Sequence, residues 1–387
     1  MPPMLPPADP IAAVTHADPY DYYAGLVARR PLYHDEALGM WVASSAASVT
    51  SVLGNAQVRV RPLAEKVPAA LQETPAGDIF GRLVRMNDGA SHCPFKQAIA
   101  ATLQSIDAAR VASLADHWAH RLAGTRSLND FMPALPVHVV GSLLGVADDA
   151  MPALAQDAGD FVRGIAPVAD AAQRACGAGA AAALLALFRR LLAAQEMGGD
   201  GLLIRLAHVA REFGRADEAV VIANGIGFLS QAYEATAGLI GNTLVALARH
   251  HDARAQVAQD ARQLSGVIWE TLRADPPVQN TRRFVADDGV VAGQRMRRGD
   301  AILVVLAAAG RDPAANAEPA RFDTARQDRR LFTFGAAVHA CPGERIAAAI
   351  AQAGVARLLA GGVRPEALLQ GMTYRPSGNV RMPLFAD

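Results

Sequence analysis

The residues best suited to chemistry gather in one stretch, Phe334-Gly335-Ala336-Ala337-Val338-His339-Ala340-Cys341-Pro342-Gly343, ahead of an alanine-rich run over 344–359. Gly335 and the small residues let the backbone turn closely around the Cys341 sulfur, and Pro342 opens a helix where a missing N–H does no harm. The sulfur then sits near a helix N-terminus, where the dipole and free N–H groups favour its anion, the form that binds a metal. A lone cysteine can equally be an inert buried side chain. Upstream, Glu270 and Arg273 stand three apart, so carboxylate and guanidinium share one helix face and can pair. A third polar group, Asn224, Gln231, Tyr233 and Glu234, interrupts the apolar run 219–248, in which Glu234 is the only formal charge.

The elements that must position these groups are mostly helical. Runs 107–122, 171–195, 217–249 and 343–359 are rich in Ala and Leu with few β-branched stretches, which predicts helices. Strand-like pieces are short, 39–43, 281–285, 301–306 and 380–383, so the sheets should be small and peripheral. Run 219–248 could span a bilayer at about 1.5 Å per residue. Its polar centre would be costly in lipid, and it reads instead as a long central helix with a polar notch.

The chain has 387 residues, 51% apolar and 19% charged, with 37 basic side chains against 37 acidic ones. This excludes a disordered chain, a disulfide-stapled mini-protein and a collagen-like fibre, and the balanced charge gives no footprint for nucleic acid. With no linker or repeat evident, residues 1–387 read as one unit, with 1–15 loosely ordered. Three scattered cysteines, Cys93, Cys176 and Cys341, suit a reducing cytoplasm, and residues 1–10 carry neither the basic nor the apolar region of a secretory signal.

Phe334, Gly335, His339, Cys341 and Gly343 resemble the haem-binding loop of the cytochromes P-450, F-G-x-G-x-H-x-C-x-G, with Ala337 where a second glycine is usual. Other segments resemble the family in order. Glu270-Thr271-Leu272-Arg273 is similar to its E-x-x-R, and Pro319-Ala320-Arg321-Phe322 to the P-x-R-F whose arginine completes a buried Glu-Arg-Arg cluster. Gly310-Arg311-Asp312-Pro313 is similar to the N-R-D-P turn. Asn87-Asp88-Gly89-Ala90-Ser91-His92-Cys93-Pro94-Phe95-Lys96 resembles D-P-P-x-H-x-x-x-R, with Lys96 for the arginine.

The resemblance implies the P-450 fold of a soluble bacterial member: mainly α with small peripheral sheets, and haem b between the long central helix and the helix after the cysteine. It assigns Cys341 as the iron ligand. His92, Lys96, Arg283 and His339 become partners of the haem carboxylates, with Arg282 competing with Arg283; Glu270, Arg273 and Arg321 become structural. Gln231-Ala232-Tyr233-Glu234-Ala235-Thr236 aligns with A-G-x-[DE]-T-x, so Glu234 fills the acid position and Ala235 stands where the proton-relaying threonine should be. Thr236 lies about 100° further around an ideal helix and recovers that role only if the helix bulges. Otherwise proton delivery falls to Gln231, to a substrate hydroxyl or carboxylate, or to an external peroxide route.

A thiolate-ligated haem implies monooxygenation of a small molecule, with electrons from a ferredoxin and its NAD(P)H-dependent reductase, because the chain has no flavin, Rossmann or iron–sulfur motif. Arg110, Arg329, Arg330 and Arg345 are candidates for the docking face. The pocket should draw on 59–79, 160–172, 225–236, 278–281 and 377–380. Gln231, Gln279, Asn280 and Asn379 there favour a functionalised natural product, unless these amides bond to one another or to the backbone. The other classes open are a haem-thiolate enzyme using peroxide or nitric oxide, and a catalytically silent haem-binding scaffold.

Overall fold

The central helix, Glu218–Arg249, organises the fold in the computed structural model, which describes residues 5–89, 92–124, 127–196 and 199–386. Ala90 and Ser91 of the His92 segment, and Met1 to Met4, lie outside the described residues. Asp217 caps this helix by accepting from the N–H groups of Ala219 and Val220, while Glu218 in the first turn and Arg249 in the last complement its dipole. It is buried along most of its length because neighbours approach at glycine. A Cβ on Gly238 would lie 2.8 Å from Pro277 and 2.9 Å from the Arg381 carbonyl, and one on Gly241 would lie 2.5 Å from Pro383. Leu128–Leu144, Met151–Gly164, Ala171–Glu196 and Glu344–Ala360 pack around it.

All four expected helices are present, as Ala108–Leu122, Ala171–Glu196, Glu218–Arg249 and Glu344–Ala360. Among the described residues one helical stretch, Ala171–Ala194, is apolar and long enough to cross a membrane by length and composition alone. It lies against Met151–Gly164, where a Cβ on Gly177 would meet the Gly164 Cα at 2.7 Å.

The strands are β1 (Leu32–Asp35), β2 (Met40–Ala43), β3 (Val58–Arg59), β4 (Thr281–Val285), β5 (Gly289–Val291), β6 (Gln294–Met296), β7 (Ala301–Val304), β8 (Thr373–Tyr374) and β9 (Pro383–Leu384). Five form one sheet in the order β1-β2-β7-β4-β3, with Trp41 parallel to Ile302 and Thr281 antiparallel to Val304. Two expected strands need correction. Run 301–306 stops at Val304, because Leu306–Gly310 turns helical. Run 380–383 gives an isolated bridge from Val380 to Val278, and β9 begins at Pro383.

Residues 12–15 also differ from expectation: Ala12–Thr15 is a 3₁₀ turn with Ala13 and Val14 buried. The cause is Arg381, fully buried, whose Nε donates to Asp275 Oδ1 at 2.9 Å and whose Nη1 donates to the carbonyls of Val14 at 3.0 Å and His16 at 2.6 Å. Asn242 of the central helix donates to the Asp275 and Arg381 carbonyls, joining the N-terminal segment, the C-terminal strand and the core.

A second buried charge cluster centres on Glu270 in helix Leu264–Ala274. Its Oε1 accepts from Arg273 Nη2 at 2.7 Å, from Arg326 Nε at 3.3 Å and from the Asp323 N–H at 3.1 Å; its Oε2 accepts from Arg329 Nε at 3.1 Å. Arg321 is therefore not the completing arginine. Its side chain is 64% exposed and pairs with Glu318 at 3.4 Å, and only its carbonyl reaches the cluster, accepting from Arg273. Glu318 takes a positive φ of 46°, and the Arg321 guanidinium faces solvent while the next loop supplies Arg326 and Arg329. Arg329 is thereby drawn away from a docking face.

Two stability outcomes are expected. Removing the carboxylate strands a buried guanidinium, so Glu270→Gln should cost about 3–5 kcal/mol in urea unfolding. An unchanged midpoint would contradict the cluster's importance. Ala337 in the cysteine loop has φ +54°, in the left-handed region that costs an L-residue roughly 1–2 kcal/mol. Ala337→Gly should therefore stabilise by up to about 1 kcal/mol after the entropy of a freer unfolded chain is deducted; a lower melting temperature would show that the Ala337 methyl packs usefully.

Candidate haem-thiolate site

The cysteine loop is closed by backbone bonds. The Gly335 N–H donates to the Phe332 carbonyl and the Cys341 N–H to the Phe334 carbonyl, each at 2.8 Å. Gly335 takes φ +69°, and Ala337–His339 forms a 3₁₀ turn that delivers Cys341 to the start of Glu344–Ala360. Phe334 packs against the main core, and the helix buries Ala348, Ile350, Ala351, Val355 and Leu358. The Gly343 N–H donates to Cys341 Sγ at 3.4 Å. Cys341 has protein on several sides yet keeps accessible surface. Burial pushes its thiol pKa up, while the Gly343 N–H and the Lys96 ammonium pull it down. A free thiol here stays protonated, and a coordinated metal supplies the charge that makes it a thiolate.

Basic side chains crowd the wall beside the loop. His92 is 1% exposed, and neither ring nitrogen has a hydrogen-bond partner. Burial, then His339 and Lys96, lower its pKa to about 4. Its ring lies 4.2 Å from that of His339, whose Nε2 is 3.0 Å from Asp88 Oδ1. Lys96 Nζ donates to the Ala340 carbonyl, within the loop itself. Strand alternation in β4 buries Arg283 and exposes Arg282, which decides between the two. Arg283 bonds only to the Thr281 hydroxyl at 3.3 Å and the Arg282 carbonyl at 2.8 Å.

A buried imidazole without a partner, beside cations that bond only to neutral oxygens, fits a ligand that brings anionic oxygen. Among the described residues no three His, Cys, Asp or Glu side chains could chelate a bare ion. One sulfur ligand, an unpartnered buried imidazole, and an ammonium and a guanidinium that bond only to neutral oxygens together fit haem, a metal carried in a ring with two carboxylates.

On the central helix Phe228, Gln231, Ala232 and Ala235 keep accessible surface where most neighbours are buried, and their spacing makes one stripe. The helix is regular α throughout, so the expected 100° step holds: Ala235 lies on the stripe and Thr236 is 2% exposed. Thr236 therefore lies off the stripe and inside the packing. Gln231 Nε2 donates to the Gly227 carbonyl at 2.8 Å. Glu234 Oε1 is 3.3 Å from Arg375 Nη1; burial raises its pKa, and Arg375 and Arg163 oppose that.

Two expected pocket amides are structural. Gln279 accepts from the Tyr23 hydroxyl and donates to the Pro276 carbonyl, and Asn280 donates to the Gly378 carbonyl, both fully enclosed. Asn379 is exposed, and Cys93 and Cys176 lie at the surface. Sequence reasoning missed Arg85 and Arg326 and gave Arg329 to a docking face, because each lies outside the motif positions.

Comparison with known proteins agrees with this geometry. The cytochrome P450 family model matches residues 214–360. Cytochrome P450 107B1 of Saccharopolyspora erythraea is 31% identical over 255 residues, 65% of this chain and 61% of that one. The vitamin D(3) 25-hydroxylase of Pseudonocardia autotrophica is 36% identical over 188 residues, 47% of this chain and 46% of that one. The crystal structure of CalO2 superposes with a TM-score of 0.84 over 99% of both chains at 23% identity, which speaks for the fold. With the cysteine loop, the Glu270 cluster and the regular central helix in their places, the chain belongs to the cytochrome P450 superfamily, among its bacterial members.

Proposed function

We propose that this chain is a cytoplasmic haem b monooxygenase that oxidises a small functionalised natural product, supplied with electrons by a ferredoxin and its NAD(P)H-dependent reductase. The observation that carries this reading is the Cys341 sulfur, which keeps accessible surface at a helix N-terminus beside the buried, unpartnered His92 and the cations Lys96 and Arg283, which have no acid partner. Likeness to a bacterial hydroxylase supports the reaction class. When bound, haem supplies the reductive activation of dioxygen: one oxygen atom enters the substrate and the other leaves as water.

In this reading Cys341 is the sole protein ligand to iron, oriented by the turn through Phe334 and Gly335, while the Gly343 N–H bears on the sulfur and withdraws part of its charge. His92, His339, Arg283 and Lys96 hold the haem carboxylates. The Phe228 to Ala235 stripe forms the chamber ceiling and excludes water with apolar surface. Glu234 is restrained by Arg375, and Ala235 offers no hydroxyl to pass a proton on. Proton delivery then rests on Gln231 or on a hydroxyl or carboxylate of the substrate. The same missing hydroxyl favours, as a second reading, turnover with external peroxide.

The reduced, carbon monoxide-bound protein should show the red-shifted Soret band of thiolate ligation, and Cys341→Ala should abolish it; persistence of the band would refute the ligand assignment. With the ferredoxin system, Ala235→Thr should lower the peroxide released per NAD(P)H oxidised several-fold, as a positioned proton donor does, while Thr236→Ala leaves it essentially unchanged. Loss of coupling in Thr236→Ala alone would show that Thr236 serves after all.

A further inference from the structure

We propose that Arg85 recognises a carboxylate of the substrate inside the chamber, so that the substrate is an organic acid; this rests on the haem-thiolate reading above. Arg85 lies in the 3₁₀ turn Val84–Met86. That turn is strapped to the central helix at one end, where the Val84 N–H donates to Asn224 Oδ1 at 2.9 Å and Asn224 Nδ2 donates to the Arg82 carbonyl at 3.1 Å. At the other end Asp88 faces His339 of the cysteine loop at 3.0 Å. Arg85 therefore stands on the wall between the ceiling stripe, which begins one turn after Asn224, and the loop that carries Cys341.

Arg85 keeps accessible surface on this wall, and we take that surface to face the space between the stripe and the cysteine loop. It differs from the other guanidinium groups nearby. Arg61 donates to Asn87 Oδ1 at 2.6 Å, Arg283 to the Arg282 carbonyl at 2.8 Å and Arg163 to Asp160 at 2.6 Å, and Arg375 faces Glu234 at 3.3 Å. Arg85 approaches only the Met86 sulfur, at 3.7 Å. Burial alone lowers its pKa, with no neighbouring charge to offset it, whereas Asp88 acts on Arg61, His92 and Arg283. Arg85 is thus set apart from the cations grouped around Asp88 and His339, which suit the haem carboxylates.

A guanidinium without an acid is costly to desolvate when a ligand fills the chamber, and its planar fork matches a carboxylate in bidentate fashion. A neutral substrate would leave that cost in place, whereas an acid removes it on binding. The same carboxylate would lie in a chamber whose ceiling lacks the usual hydroxyl at Ala235.

The test uses haem-loaded wild type, Arg85→Gln and Arg85→Lys, with imidazolyl-hexanoate, imidazolyl-octanoate and imidazolyl-decanoate as iron-binding probes and their primary amides as neutral controls. Soret titrations give the affinities, and haem content per chain is measured alongside. For at least one chain length the acid should bind Arg85→Gln about tenfold or more weakly than wild type, as loss of a charge-assisted bond implies. The amides should be unaffected, Arg85→Lys should recover part of the loss, and haem content should not change. The proposal fails if acid and amide weaken alike at every length, if acid affinity is unchanged, or if haem content falls while the acid preference persists, which would make the haem carboxylate the partner. Should Arg85→Gln not fold, wild type must still prefer acid over amide and Arg85→Lys must narrow that preference. Absence of the thiolate Soret band in wild type would instead defeat the haem-thiolate reading.

Discussion

A sulfur has to carry negative charge in a place that disfavours it. Burial, with the Glu344 carboxylate, raises the Cys341 pKa, and the surrounding architecture opposes part of that rise: a loop closed on Phe332 and Phe334, an N–H from Gly343, and the Lys96 ammonium bonded within the same loop. Each contribution requires the loop to hold one shape. Two residues in left-handed conformations, Gly335 and Ala337, make that shape possible, and the second carries a Cβ where glycine would be easier.

The loop cannot hold itself. Directly upstream of it, Arg326 and Arg329 are drawn to Glu270, which also binds Arg273, so one fully buried carboxylate tethers the 317–330 segment to helix Leu264–Ala274. A buried acid that gathers three guanidiniums is a poor source of net stability, and its part here is to hold the segment against the helix. Arg381 does the corresponding work on the opposite side, collecting carbonyls from the N-terminal turn onto Asp275. These two ion clusters fix the ends of the chain and the cysteine loop relative to the central helix.

How much of this was legible in the sequence follows from how local each signal is. The cysteine loop, Glu270 with Arg273, and the long helices are encoded by spacing within a few residues, and they stand where the spacing put them. Which arginine completes the Glu270 cluster depends on the path of an irregular loop, and motif order pointed to Arg321 when the path selects Arg326 and Arg329. Leu128–Leu144 gave no clear signal because Pro133 and Pro136 interrupt it; its helical form comes from packing almost every side chain against the core. The amides Gln279 and Asn280 looked like pocket residues because sequence position cannot tell a side chain facing a ligand from one facing a backbone carbonyl.

The chamber's charge pattern gives the same distinction a chemical form. Glu234 is matched by Arg375 and Asp160 by Arg163, so the acids on that side are already neutralised by partners from other turns or elements. Among the described residues Arg85 has no acid partner, and Ala235 carries no hydroxyl. On the proposal that Arg85 binds an acid of the substrate, part of the polar chemistry arrives with the substrate. Selectivity and proton supply are then linked, because a molecule without the acid would fail to neutralise Arg85 and would also leave the distal side without the polar group that Ala235 does not provide.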